Sequence, residues 1–260
     1  MVGYLSYTRE NKGMCIARRR IGALPVLEVR LGREGRLWER MAARRAAKLL
    51  ARRGVREAVF PVDYPHQELF VRRGILPVET LPLYRAMAPL VVKQKMMKLG
   101  LSPGTTTAAV SADYVTAEIG ALLRALALSV RYVILDGAGG EDCCAQLQRE
   151  YGVSVTRRSS WESLEKADVL VLLRPPRAGE KAENPVLLHL YDGERVLCRN
   201  GVDFVLPQRI LAQVEENCNQ KQLLALLLRE GILQNYQIPI MEVDIPGKSY
   251  YNASTVNNIE

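Results

Sequence analysis

The 260-residue chain has no apolar run near the roughly 18 residues that a helix needs to cross a bilayer. Its most apolar stretches, 121-ALLRALALSV-130 and 223-LLALLL-228, are short or broken by charge, so no membrane span is expected. The opening MVGYLSYTRENKG lacks the apolar core of a secretory signal, which points to a cytoplasmic protein. Only two histidines occur, His66 and His189, and the five cysteines (Cys15, Cys143, Cys144, Cys198, Cys218) show no paired ligand spacing. A zinc site is therefore not expected, and the odd, scattered cysteines read as reduced thiols. Without export, the N-A-S at Asn252 carries no glycosylation meaning. No G-x-S-x-G, H-E-x-x-H or G-K-[ST] signature is present, and 103-PGTTT-107 reads as a turn entering a strand.

What is present is ordinary globular composition with an uneven charge. Residues 1–100 hold 21 Lys and Arg against 8 Asp and Glu, a net of +13, while the remainder carries −5. That asymmetry suggests two regions with different surfaces. Short strand-like runs at 4–8, 14–20 and 26–32 are followed by 35-GRLWERMAARRAAKLLARRG-54, a helix ended by glycine. Trp38, Met41, Ala42, Leu49 and Leu50 fall on one stripe of that helix. Arg36, Arg40, Arg44, Lys48 and Arg52 recur every fourth residue on another. A strand at 56–62, a helix near 65–74 and a longer helix over 81–100, with Pro89 as a kink site, complete a smaller α+β domain over 1–100.

After 101-LSPG-104 the pattern changes to alternation. Strand-like runs at 106–112, 131–137, 153–156, 168–173, 186–191 and 203–207 are interleaved with helical segments at 114–128, 140–151 and 160–166. Near-continuous Val, Ile and Leu suit parallel strands covered on both faces, and the rhythm predicts a doubly wound α/β sheet in a domain over 104–245. Residues 174–185, polar and proline-rich, read as an exposed loop, and 246–260 as a polar tail.

The stretch 109-AVSADYVTAEIGALLRALALSVRYVILDG-137 has a strand, a turn, a helix and a second strand ending in Asp136, 20 residues after Thr116. On these features residues 106–206 resemble a Rossmann-type NAD(P)-binding domain, a likeness of fold that brings no substrate with it. The resemblance implies a ligand cleft at the carboxyl ends of the strands, near Ser111, Asp113, Thr116, Asp136 and Arg174. The three glycines of the phosphate-binding motif are replaced by Ser111, Asp113 and Thr116. Asp113 is the serious departure, because it would place a carboxylate at the helix N-terminus where phosphate sits. At about 4 Å and an effective dielectric near 20, the repulsion is roughly 4 kcal/mol. Asp113 is expected instead to cap the helix. NAD(P) is thus a disfavoured cofactor, and Asp136 is either a ribose ligand or a strand-end acid. The glycine-rich turn 136-DGAGGED-142 carries acids that repel anions, while Arg174 suits an anionic ligand.

Elsewhere, His66 lies near Asp63 and Glu68 but reads as a helix-start residue, and His189 as a hydrogen-bonded core histidine. Cys143 and Cys144 have acidic neighbours that would raise their pKa values. The reading favoured by the sequence is a binding or regulatory module rather than an enzyme, with an unidentified protein partner or self-association. An NAD(P)-linked oxidoreductase with an atypical cofactor loop is the first alternative. Binding of nucleic acid or an acidic partner by the basic N-terminal helix is the second.

Overall fold

The computed structural model describes residues 1–8, 13–32, 35–157, 160–191 and 202–242. Cys198, Asn252 and the 246–260 tail lie outside the described residues. The N-terminal sheet consists of β1 (Val2–Thr8), β2 (Met14–Ile21), β3 (Leu24–Gly32), β4 (Glu57–Val59) and β5 (Leu76–Pro77), in the order β2-β3-β1-β4-β5. β2 pairs antiparallel with β3, and the other neighbours are parallel. Helix α1 (Arg36–Arg52) connects β3 to β4, and the short α2 (Gln67–Val71) connects β4 to β5.

The buried stripe of α1 is Ala43, Ala46, Ala47 and Leu50, packed with Leu5, Val29, Phe60 and Phe70. Four successive contacts that are mostly alanine let the helix lie close to the sheet. Trp38 and Met41, expected on the buried stripe, project into solvent instead. Gly54, at φ 73, turns the chain after the helix in the left-handed conformation that glycine tolerates.

Helix α3 (Leu81–Lys98) runs through Pro89 and buries Leu83, Tyr84, Met87, Ala88, Val91, Val92 and Met96. It leads to β6 (Thr107–Tyr114), α4 (Ala117–Ala127), β7 (Tyr132–Ala138), α5 (Glu141–Tyr151), β8 (Ser154–Arg157), α6 (Trp161–Glu165), β9 (Val169–Leu172) and β10 (Val186–His189). These five strands form a wholly parallel sheet in the order β10-β9-β6-β7-β8. Counted from β6 this is the 3-2-1-4-5 arrangement of a doubly wound Rossmann-like sheet, so the α/β class is met in the topology itself. β9 shows why: all four of its residues are buried, as a central strand covered on both faces requires.

The sixth strand-like run does not join that sheet. β11 (Val202–Phe204) pairs antiparallel with β12 (Ile240–Glu242), with Val202 opposite Glu242. Its short backbone is satisfied by a strand that arrives from the C-terminal side, not by the open edge of β10.

Helices α7 (Gln208–Leu211) and α8 (Gln220–Arg229) carry the chain back to the N-terminal sheet. The buried Gln222 accepts a 2.8 Å hydrogen bond from the Phe60 amide through Oε1. Val62 N–H donates to the Asn217 carbonyl at 2.9 Å, and Arg229 forms an ion pair with Glu57. One apolar cluster accordingly contains Tyr4 and Val26 from the first sheet, Met87 from α3, Val110 and Val171 from the second sheet, and Leu223 from α8.

Candidate functional site at the carboxyl edge of the parallel sheet

β6 lies between β7 and β9, and its Ser111 is in register with Asp136 on one side and Leu172 on the other. Arg174 follows two residues after β9 ends. Three strands thereby bring Ser111, Asp136 and Arg174 together where a Rossmann-like sheet forms its crevice. Ser111 Oγ donates to Asp136 Oδ2 at 3.0 Å, and Arg174 Nη2 donates to the same oxygen at 3.0 Å.

Arg174 is only 3% exposed and holds a second carboxylate. Its Nη1 and Nη2 donate to Glu180 Oε2 and Oε1 at 2.8 and 3.1 Å, a bidentate pair, and Nη1 also donates to the Pro175 carbonyl at 3.1 Å. The Arg177 amide donates to Glu180 Oε2 at 2.6 Å. Arg174 lies 5.7 Å from the Trp161 ring, whose Nε1 donates to the Lys181 carbonyl at 2.8 Å. The 174–185 segment is thus folded over the guanidinium.

The electrostatics follow from these contacts. The hydrogen bond from Arg174 is the main cause that holds the Glu180 carboxyl below its ordinary range. Glu180 in turn is the main cause that raises the pKa of Arg174. A guanidinium has five N–H donors, and the four on Arg174 Nη1 and Nη2 are engaged, with Nε buried and unpartnered. With Nη1 and Nη2 of Arg174 committed to the chain's own acceptors, an incoming anion gains little unless Glu180 leaves.

The turn between β6 and α4 differs from the sequence expectation. Ser111 and Asp113 belong to β6, which continues to Tyr114 across a register shift, so neither lies in a phosphate-binding loop. Asp113 is exposed and does not cap α4. The N-cap is Thr116, whose Oγ1 accepts from the Ile119 amide at 3.3 Å. Only Val115 and Thr116 separate strand from helix, and the Val115 amide donates to the Ala138 carbonyl at 2.9 Å. A strand that keeps its ladder this far leaves no slack for a glycine loop.

The glycines appear one turn later and serve packing. A Cβ on Gly140 would lie 2.9–3.0 Å from three Val115 side-chain atoms, and one on Gly137 would lie 3.0 Å from the Ala112 carbonyl oxygen. Arg157 closes this turn from β8, pairing with Glu141 at 2.7 Å and donating to the Gly139 carbonyl at 3.1 Å. Glu118, in the first turn of α4, pairs with Arg85 at 2.8 Å.

Ser111, Asp136 and Arg174, expected at one edge, are joined there. Glu180 and Trp161 belong to the same cluster, and Asn184 to the segment folded over it, without a sequence signal. Asn184 is buried and donates through Nδ2 to the carbonyls of Leu164 and Ala167 at 2.8 Å and of Glu165 at 3.1 Å. These are carbonyls at the end of α6 and just beyond it, where helical partners run out. An Asn before Pro185 in a polar loop gives no sequence signal of this role.

Of the remaining candidates, Arg40, Arg44, Lys48 and Arg52 are exposed on α1, and Arg36 opens that helix. His66 is the N-cap residue of α2, with its ring edge-on to Tyr64 and Nε2 buried without a partner. His189 is buried, with Nδ1 3.3 Å from the Tyr191 hydroxyl. Burial raises the thiols of Cys143 and Cys144, and an acid, Glu141, adds to it only at Cys144. Burial also pushes Cys218 up to about 11. Among the described residues no His, Cys, Asp and Glu group is suited to a metal, and no helix is long and apolar enough to cross a membrane.

No protein-family model and no curated protein matches the chain. Solved structures similar to it are α/β proteins at low identity. One is L-tryptophan dehydrogenase from Nostoc punctiforme, at 13% identity and a TM-score of 0.30, covering 57% of this chain and 44% of that one. Another is aspartate transcarbamoylase from Trypanosoma cruzi, at 16% identity and a TM-score of 0.35, covering 89% and 81%. N-acetyl-L-ornithine transcarbamylase is a third, at 15% identity and a TM-score of 0.27, covering 66% and 64%. The chain spans less than half the length of the tryptophan dehydrogenase.

Proposed function

We propose that the protein is a non-catalytic binding or regulatory module whose Rossmann-like crevice has no dinucleotide seat. The observation that carries this reading is the closure of Arg174 by its own chain. Glu180 supplies the bidentate carboxylate, and Asp136, the acid that would face a ribose, is shared by Ser111 and Arg174. The two-residue turn from β6 to α4 reinforces the reading. On this view the internal anion of the crevice is Glu180, not Asp113. The basic N-terminal region supplies contacts to a protein partner.

The alternative, an NAD(P)-linked oxidoreductase, requires Glu180 to swing away and the cofactor to sit off the usual path. Calorimetric titration with NADH and NADPH separates the two. Wild type and Asp113→Gly are expected to show no saturable heat at micromolar protein, because Asp113 is not at the helix terminus. Saturable micromolar binding to wild type, abolished by Asp136→Ala, would overturn the proposal and favour the oxidoreductase.

A further inference from the structure

The first turn and a half of α1 leaves large apolar side chains in solvent: Leu37 is 80% exposed, Trp38 59% and Met41 40%. Trp38 and Met41 are three apart, so they are neighbours on the helix surface. Two shallow hollows flank them. One of about 390 Å³ is bounded by Leu37, Arg40 and Arg44, and one of about 280 Å³ by Met14, Ala42 and Arg45, with Trp38 and Met41 in the wall of both. Arg40, Arg44 and Arg45 are all exposed. An apolar centre with Trp and Met inside a rim of Arg has the make-up of an interface hot spot.

We propose that this face of α1 docks an acidic segment of a partner protein, with apolar side chains of the partner in the two hollows and its carboxylates on the arginines. The proposal does not depend on what the crevice binds. Charge decides the class of partner, because the first hundred residues carry net +13 and this face would repel a copy of itself. The apolar groups decide between protein and nucleic acid. Single-stranded nucleic acid is held by aromatic platforms for successive bases. Here one indole stands between aliphatic Leu37 and Met41, and Glu39 lies in the same turn.

The test uses the full chain carrying Trp161→Phe, so that Trp38 is its only tryptophan. It is titrated with a synthetic amphipathic helical peptide that has Leu and Phe on one face and Glu on the other. A scrambled peptide of the same composition and an oligothymidylate serve as competitors of the two other kinds. Expected are a saturable blue shift of Trp38 and a labelled-peptide anisotropy response weakened at least about tenfold by Trp38→Ala. Arg40→Glu with Arg44→Glu is expected to weaken it as much, with unchanged circular dichroism in both variants, and the scrambled peptide to bind at least about tenfold less tightly. Equal binding of the two peptides, no peptide binding, or tighter binding of the oligothymidylate would each overturn the proposal. So would self-association in sedimentation that Trp38→Ala abolishes.

Discussion

Arg174 decides the character of the crevice, and its partners set measurable consequences. Removing Glu180 leaves a buried guanidinium with Asp136 as its remaining carboxylate. Glu180→Ala is therefore expected to cost about 3 kcal/mol in denaturant unfolding. The sign of the pH dependence follows from the lowered pKa of Glu180. Its stabilisation is complete above the unfolded carboxyl value of about 4.3 and is lost as pH falls through the lower folded value. The wild-type stability curve should therefore drop more steeply below about pH 4.3 than that of Glu180→Ala. Parallel curves in that acid range would remove Glu180 from the account.

Elements here are shaped by contacts that differ in how far they can be read from sequence. The parallel strands were legible because Val, Ile and Leu runs require two covered faces, and β6, β7 and β9 lie within a few residues of their expected spans. The turn after β6 was not legible. Its length depends on β6 keeping its ladder to β7 as far as Tyr114, a pairing between distant residues that glycine spacing does not encode. The buried stripe of α1 was misread for a related reason, since small alanines rather than Trp38 face the sheet.

Three substitutions test these elements. Gly140→Ala combines φ 83 with contact on Val115 at 2.9–3.0 Å, whereas Gly139→Ala, at φ 74, meets open space. The first is expected to destabilise by about 3 kcal/mol and the second by about 1 kcal/mol, read from paired denaturation curves. Asn184→Asp turns a carboxylate toward three carbonyls. A loss of about 3 kcal/mol at neutral pH, partly recovered when the acid is protonated, is expected from its melting at several pH values.

Across the whole molecule, the two sheets share one apolar cluster, and α8 returns to β4 and the residue after it, through Arg229 on Glu57 and Gln222 on the Phe60 amide. The alternation of strands and helices announced the Rossmann-like sheet. The return of α8 was invisible because a buried glutamine reads as an ordinary polar residue. Shared burial predicts a single cooperative unit. Native-state hydrogen exchange should give the same opening free energy for Val26 in β3 and Val171 in β9, both in that cluster. Two separate plateaus would mean that the halves unfold independently.

The guanidinium of Arg174 reports directly on whether the chain's own ions close the crevice. Nitrogen NMR of the arginine Nη groups, followed during titration with NADH, is the measurement. The Arg174 Nη signals are expected to be resolved and to exchange slowly, as a bidentate buried pair requires, and to stay unmoved in millimolar NADH. Averaged signals, or a shift that saturates with NADH, would mean that the crevice is open to the cofactor.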